Sequence, residues 1–549
     1  MQRIIALAGF VALSIACGTD EEAVDKMNAT SAAVLGISAE TLLAEIETLA
    51  SDEFEGRAPG SAGEERTIAY LTEQFSALGF LPGNPDGTWV QRVPLVGITP
   101  EPGDVLTVTG GGDTHTLEPG TDYVVATKHV VDEVSVDGEF VFAGYGAVAP
   151  EYNWDDFADA DVQGKILLFL VNDPPLEEIF GGPAMTYYGR WTYKHEIAAE
   201  KGAAGSLVIH ENGPAGYPWE VVGSTPHGES FDLVAPDKNL GLATIEGWIQ
   251  RSAAETLFEM AGLDFEEAKR QAADRSFQPI PLGVTGKTSI RNTLRTIDSQ
   301  NFIAKLEGSN APDEVVMYVA HWDHLGRDET LSGDQIFNGA ADNATGTAGL
   351  FEIARAFVEA DERPRRSVIF LAVTAEEQGL LGSKHYGENP LYPPAQTVAA
   401  INMDVLNQWG RTRDLTIVGL GQSTLDQVAA EVGDRLGRTL SPDPEPEKGF
   451  YYRSDHFSFA KAGIPAFYAD PGVEYLDKPE GYGLEKRNQY TAEDYHKTSD
   501  EVKPDWDLSG AVEDLTFLYH MGSRLAFGDG WPAWSQTSEF RSIRKAQGR

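Results

Sequence analysis

The chain reads as an α/β protein: a mixed, largely parallel central sheet with helices on both faces, plus an inserted β-rich domain. Three observations predict this. Beyond Asn301, short apolar runs alternate with helical patterns, the rhythm of parallel strands joined by crossover helices. Between about Thr107 and Leu282 that rhythm gives way to β-rich runs broken by Gly, Pro and Asp clusters. Finally, 549 residues exceed what one ordinary core supports, so a second packed unit is expected.

Taken in order, the chain opens with Arg3 and the apolar run 4–16, which has the form of an export signal and is too short to span a bilayer. Cys17, the single cysteine, directly follows Ala16 and resembles the lipid-modified residue of bacterial lipoproteins, although Leu13 sits one place earlier than the usual branched apolar residue. Residues 1–17 are therefore expected to direct export. The destination is either a lipid anchor through Cys17 at the periplasmic or cell-envelope membrane or, after cleavage nearby, secretion. One cysteine leaves no disulfide within the chain. Residues 18–38 are polar and acidic without a period and read as a tether.

Residues 39–106 begin the main domain. Leu42, Leu43, Ile46 and Leu49 recur at helical spacing, a second helix fits 64–78 before Gly79 stops it, and the Gly-rich turn 56–61 lies between them. The insertion spans 107–282, with strands at 140–142 and 165–171. A helix at 193–201, a Gly-Ala-Ala-Gly turn and a strand at 206–210 add one crossover. Its segments Phe142-Ala143-Gly144-Tyr145-Gly146, Val162-Gln163-Gly164-Lys165 and Lys201-Gly202-Ala203-Ala204-Gly205 resemble the protease-associated domain found inserted in several exopeptidases. Residues 283–528 complete the main domain. Strands are expected at 315–320, 368–373, 398–403, 415–418 and 464–468, and helices after Asn343, from about Leu380, at 423–436 and at 508–525. The polar tail 529–549 is expected to be loose.

The composition, 42% hydrophobic and 10% aromatic, is that of a folded globular protein. A net charge of -43, from 85 acidic and 42 basic side chains, repels phosphate backbones and argues against nucleic-acid binding. Acidity alone says nothing about substrate.

In open α/β sheets ligands bind beyond the carboxyl ends of the strands, and there the polar residues gather. His321-Trp322-Asp323-His324 leaves the strand 315–320. Residues two apart on an extended chain point the same way, so Asp323 can hydrogen-bond the His321 ring nitrogen that faces away from a metal. In the small-residue loop 339–346, Asp342 can bridge two cations with its two oxygens or cap the helix that follows. Glu376 and Glu377 stand at the mouth of the apolar strand 368–373. Adjacent side chains point differently, so one can ligate while the other holds a proton; a solvated charged loop is the alternative. Asp404 ends the strand 398–403, Ser454-Asp455-His456 comes later, and His496 lies in the polar loop 495–500. Each has an ordinary explanation taken singly. Their joint order supplies oxygen and nitrogen ligands suited to paired zinc ions.

The segments His321-Trp322-Asp323, 342–346, 374–383, Asn402-Met403-Asp404, Ser454-Asp455-His456 and Tyr495-His496-Lys497-Thr498 resemble the successive motifs of the co-catalytic zinc aminopeptidase family, which also includes glutamate carboxypeptidase II. The segment 54–61 and the Gly79-Phe80 helix end resemble that family's opening. The resemblance implies two zinc ions per chain, with Asp342 bridging them, His321 and Asp404 completing one site, and Glu377 and His496 completing the other. It makes Glu376 the general base toward a water held between the metals and Asp323 the partner of His321. Tyr451, three residues before Ser454, becomes the donor to the substrate carbonyl, with Tyr452 next door as the alternative. It also places a cis peptide bond at Asp342-Asn343 and gives no ligand role to His324 or His456. The implied activity is aminopeptidase action on peptides. Carboxypeptidase or dipeptidase action is the alternative, since Arg453 offers a group for a terminal carboxylate. A non-catalytic, receptor-like relative is a third class, opposed by the presence of all five ligand positions and Glu376.

Overall fold

A computed structural model describes residue 32 and residues 35–549, apart from 102–104, 159, 177–178, 181, 183, 216–217 and 224–228. The export run 4–16, Cys17 and most of the tether lie outside the described residues. Among the described residues no helix is long and apolar enough to cross a membrane.

Four strands, Arg366–Val373, Ala311–His321, Thr397–Asn402 and Ala466–Pro471, lie side by side in that order and run parallel. The end of the strand Ile280–Leu306 adds antiparallel to the first, and Asp414–Val418 adds antiparallel to the last with Thr439–Pro442 beyond it. Every residue of Arg366–Val373 and Thr397–Asn402 is buried, as strands covered on both faces require. The period of two is strict: Val316, Tyr318 and Ala320 face one core, while Val315, Met317 and Val319 face the other. Helices Ala39–Leu49, Thr345–Glu359 and Ser509–Phe527 cover the first face. Leu381–Glu388 and His456–Lys461 cover the second.

Local signals set the helix starts. The Ser38 side chain accepts from the Thr41 amide, and Ser61 accepts from those of Gly63 and Glu64; such a cap contributes about 1 kcal/mol. Helix Ala62–Ala77 is pinned to the sheet by Phe75, whose ring lies 5.3 to 5.5 Å from those of Phe80, Phe302, Phe351 and Phe370. Truncating such a fully buried ring to alanine costs about 3–5 kcal/mol.

The insertion has its own sheet, in which Glu133–Phe142, Ile166–Leu170, Gly205–His210 and Ile245–Gln250 run parallel, and its own core around Phe140, Ile166 and Leu207. No linker marks the expected boundary at 282. Ile280–Leu306 is one strand of 27 residues. Its first part pairs with Glu133–Phe142 in the inserted sheet, and its later part pairs with Val90–Pro100 and Arg366–Val373 in the main one. Backbone hydrogen bonds of one strand therefore join the two units.

The tail is not loose. Trp534 and Phe540 are each 3% exposed, the Trp534 indole donates to the Gly463 carbonyl, and Arg544 of helix Arg541–Ala546 donates to the Thr397 carbonyl. The polar average of the segment hid these anchors, whose apolar area is withdrawn from water.

Candidate metal centre

His321 closes the strand Ala311–His321, Glu376 and Glu377 follow Arg366–Val373, and Asp404 follows Thr397–Asn402. Three adjacent parallel strands thus deliver their polar residues to one edge of the sheet. Asp342 sits in the short turn Ala340–Ala344 that leads into helix Thr345–Glu359. The His321 Nε2 lies 3.3 Å from one Asp342 oxygen and 3.3 Å from an Asp404 oxygen. The His496 Nε2 lies 3.4 Å from the other Asp342 oxygen and 2.8 Å from Glu377. Asp342 therefore shows one oxygen to each histidine, the disposition of a bridge. Ligand atoms of His321, Asp342 and Glu377 fall within 4.8 Å of one another, as do those of His321, Glu376 and Asp404. The Asp342-Asn343 peptide bond is cis.

Asp323 departs from its expected contact. The His321 Nδ1 lies 3.1 Å from the Asp323 carbonyl oxygen and 3.8 Å from its carboxylate. The carboxylate instead accepts the Glu376 amide at 3.1 Å, so Asp323 ties the histidine loop to the glutamate loop. The Tyr451 hydroxyl is buried with no hydrogen-bond partner among the described residues. Its ring packs on that of His456 at 4.8 Å, and His456 packs in turn on Tyr468 at 4.8 Å. The Tyr452 hydroxyl donates to Glu539.

The charges explain why this arrangement is poised for cations. Burial, reinforced by Asp404 and Glu377, holds the Glu376 carboxyl well above the usual range despite the attraction of His321. Burial pushes Asp323 up to about 8 and Asp455 up to about 7. For Glu377, burial and Asp342 oppose ionisation, but His324 and His496 outweigh them and lower it to about 2. Burial likewise disfavours charge on His496, yet Glu377 and Asp342 raise it to about 10. Without a metal, then, the raised His496 imidazole pairs with Glu377 and Asp342, while burial favours protons on Glu376 and Asp323. A clustered nitrogen and oxygen donor set rich in carboxylates fits divalent ions of the zinc type.

His324, expected to support rather than ligate, hydrogen-bonds Glu377. Sequence reasoning missed other supporting groups. The Ser454 hydroxyl donates to Asp404 at 2.6 Å and is itself held by the Asn402 amide at 2.8 Å. Arg57 and Asp500 grip the loop around Asp342. Arg57, Ser454 and Asp500 all stood inside segments already noted for their motifs, but no local signal pointed to these contacts.

Residues 301–519 match the family model of peptidase family M28. Aminopeptidase NAALADL1 of Mus musculus is 36% identical over 137 residues, which cover 24% of this chain and 17% of the mouse protein. A probable zinc metalloprotease of Pyrenophora tritici-repentis is 27% identical over 223 residues, covering 35% of this chain and 46% of the fungal one. The match thus spans less than half the length of either relative. Among solved structures, an aminopeptidase from Aneurinibacillus sp. strain AM-1 aligns over 90% of this chain and 95% of its own, with 18% identity and a TM-score of 0.49. The parallel strands, their exits and the residues gathered there, from His321 to His496, all fall inside the stretch, residues 301–519, that matches the model of peptidase family M28.

Proposed function

We propose that the chain is a zinc-dependent exopeptidase that removes N-terminal residues from peptides. The observation that carries this reading is the convergence of His321, Asp342, Glu376, Glu377, Asp404 and His496 on one sheet edge. His321, Asp342 and Asp404 would hold one zinc ion, and Asp342, Glu377 and His496 a second. Such a pair supplies Lewis-acid polarisation of the scissile carbonyl and a water acidified toward neutrality. Glu376 takes a proton at its carboxylate from the attacking water and passes it to the leaving amine. Burial and its like-charged neighbours raise its proton affinity in the metal-free protein. Asp323 fixes the Glu376 amide and so the position of the base relative to His321. Tyr451, with a buried hydroxyl lacking a partner, is the group we assign to the carbonyl oxygen, since a substrate there would satisfy it. The acidic surroundings favour a substrate ammonium group.

The specific observation behind a second reading is Arg453. It is exposed, its guanidinium lies 5.2 Å from the Phe450 ring centre, and it makes no ion pair among the described residues. A free guanidinium beside Ser454 suits a terminal carboxylate, and hence carboxypeptidase or dipeptidase action. Kinetics with N-acetylated and C-amidated forms of one peptide separate the readings. Aminopeptidase action predicts loss of the acetylated substrate and cleavage of the amidated one; the reverse selects the carboxypeptidase. Failure to cleave either, with zinc bound, sinks both. The proposal also includes export with Cys17 as a lipid anchor and a protease-associated insertion that shapes substrate access. Retention in the membrane fraction by wild type and release by Cys17→Ser is the expected outcome for the anchor.

A further inference from the structure

The loop that carries Asp342 is held from two sides by groups with no assigned part. Arg57 is 1% exposed. Its guanidinium donates to four carbonyl oxygens: Trp322 at 2.9 Å, Leu49 at 2.6 Å, Asn338 at 2.7 Å and Gly339 at 2.8 Å. Trp322 follows His321 directly, and Gly339 opens the turn that presents Asp342. Asp500, 2% exposed, takes the complementary groups. Its two carboxylate oxygens accept the amides of Ala341 at 3.0 Å and Asp342 at 3.1 Å, and its carbonyl oxygen accepts that of Ala340 at 3.0 Å. Asp500 is steadied in turn by the Tyr490 hydroxyl at 3.2 Å.

The backbone around Arg57 is shaped for this duty. Glu55, Gly56 and Arg57 have φ of 48°, 65° and 51°, left-handed values that side chains other than glycine rarely adopt. Gly56 is obligatory there, since a Cβ would stand 2.4 Å from the Gly326 carbonyl oxygen. Among the described residues Arg57 makes no ion pair at contact distance and spends its donors on backbone; its charge faces Asp323, Asp500, Asp342 and Glu377 across the loop.

We infer that Arg57 and Asp500 are a pair of positioning residues that clamp residues 339–342, Arg57 through carbonyls and Asp500 through amides, and so fix Asp342 between His321 and His496. This rests on the metal-centre reading, deepens it, and is tested apart from it. The fork geometry matters as well as the charge: the four carbonyls come from three segments, around Leu49, Trp322 and Asn338-Gly339, and a single ammonium cannot reach them together.

The experiment uses Asp500→Asn, Arg57→Gln and Arg57→Lys in the full chain. Zinc affinity is read by chelator competition, the visible absorption of the cobalt-loaded proteins reports ligand geometry, and hydrogen exchange of the metal-free proteins reports the loop amides. All folded variants are expected to lose about 10–100-fold in zinc affinity, as when other groups that orient metal ligands are removed, to show altered cobalt spectra, and in Asp500→Asn to exchange the Ala341 and Asp342 amides faster. Wild-type affinity and spectrum in folded Asp500→Asn, or full rescue by Arg57→Lys, would overturn the clamp. Should Arg57→Gln fail to fold, Asp500→Asn alone decides. If wild type itself binds no metal, the metal-centre reading fails and the clamp stands or falls on the exchange of the two amides.

Discussion

Glu376→Gln is the sharpest perturbation of the proposed mechanism, because the geometry allows Glu376 two jobs. Its carboxylate groups with His321 and Asp404 as closely as the proposed ligands group with one another, so proximity alone does not separate a base from a ligand. Glutamine preserves shape and one acceptor oxygen but cannot take a proton. A positioned base contributes roughly 10²–10⁴-fold, so the loss expected in kcat is about 3–5 kcal/mol of transition-state stabilisation, at 1.36 kcal/mol per decade. The same change removes a buried carboxyl crowded by Asp404 and Glu377, so the metal-free variant should melt no lower than wild type. Glu377→Gln should melt lower, because Glu377 is 2.8 Å from a protonated His496. The assay pairs steady-state hydrolysis of an aminoacyl substrate with zinc stoichiometry. Full zinc occupancy with kcat within tenfold of wild type would remove Glu376 as the base. Zinc lost in step with activity would make it a ligand.

Three further outcomes follow from the structure. Between pH 6.5 and 8 the metal-free protein should lose stability as pH rises. His496, raised to about 10, contributes fully below its unfolded value near 6.5 and progressively less toward 10, while Asp323, raised to about 8, keeps its proton in the fold after the unfolded chain has ionised, so it too costs stability as pH rises toward 8. Chemical denaturation at several pH values, with and without zinc, checks this, and a metal-free profile that rises with pH would contradict it. Tyr451→Phe should cost about 10²-fold in kcat, the scale of one oxyanion donor, while Tyr452→Phe, whose hydroxyl already donates to Glu539, should leave kcat within severalfold; equal effects would refute the assignment. Deleting 529–549 removes the buried Trp534 and Phe540, worth about 3 kcal/mol or more from apolar burial, and should lower the melting temperature; an unchanged melt would show the tail undocked.

What the sequence disclosed and what it withheld divide along a physical line. Strand exits were legible because an apolar run of period two that ends in a carboxylate or imidazole breaks the pattern within two or three residues, as at Ala320-His321 and Met403-Asp404. The place of Asp342 in a small-residue loop ahead of a helix was legible because those neighbours are local too, while a bridging part for it came only from the family resemblance. The joint between the two units was not: Val284, Gly286, Thr288 and Ile290 alternate inward through the expected boundary at 282, and only the pairing partners, far off in the chain, show that one strand serves two sheets. Burial of the tail depends in the same way on Gly463 and Thr397, more than 60 residues from the side chains that seek them.

The groups that hold the site in register were the least legible, and the reason is energetic. A metal ligand must be one of a few residue types, so it leaves a mark in composition. The work of Arg57 is done on backbone carbonyls, and carbonyls are the same at every residue, so its partners leave no trace in the sequence. Asp323 shows the same effect in reverse. Its residue type fitted a carboxylate bonded to His321, yet the imidazole meets the Asp323 carbonyl and the carboxylate goes to the Glu376 amide. The backbone at a strand exit offers unpaired amides and carbonyls that must be satisfied once buried, and it competes with side chains for every polar group nearby. Reading a site from sequence therefore recovers the atoms that meet a cation sooner than the atoms that decide where they stand.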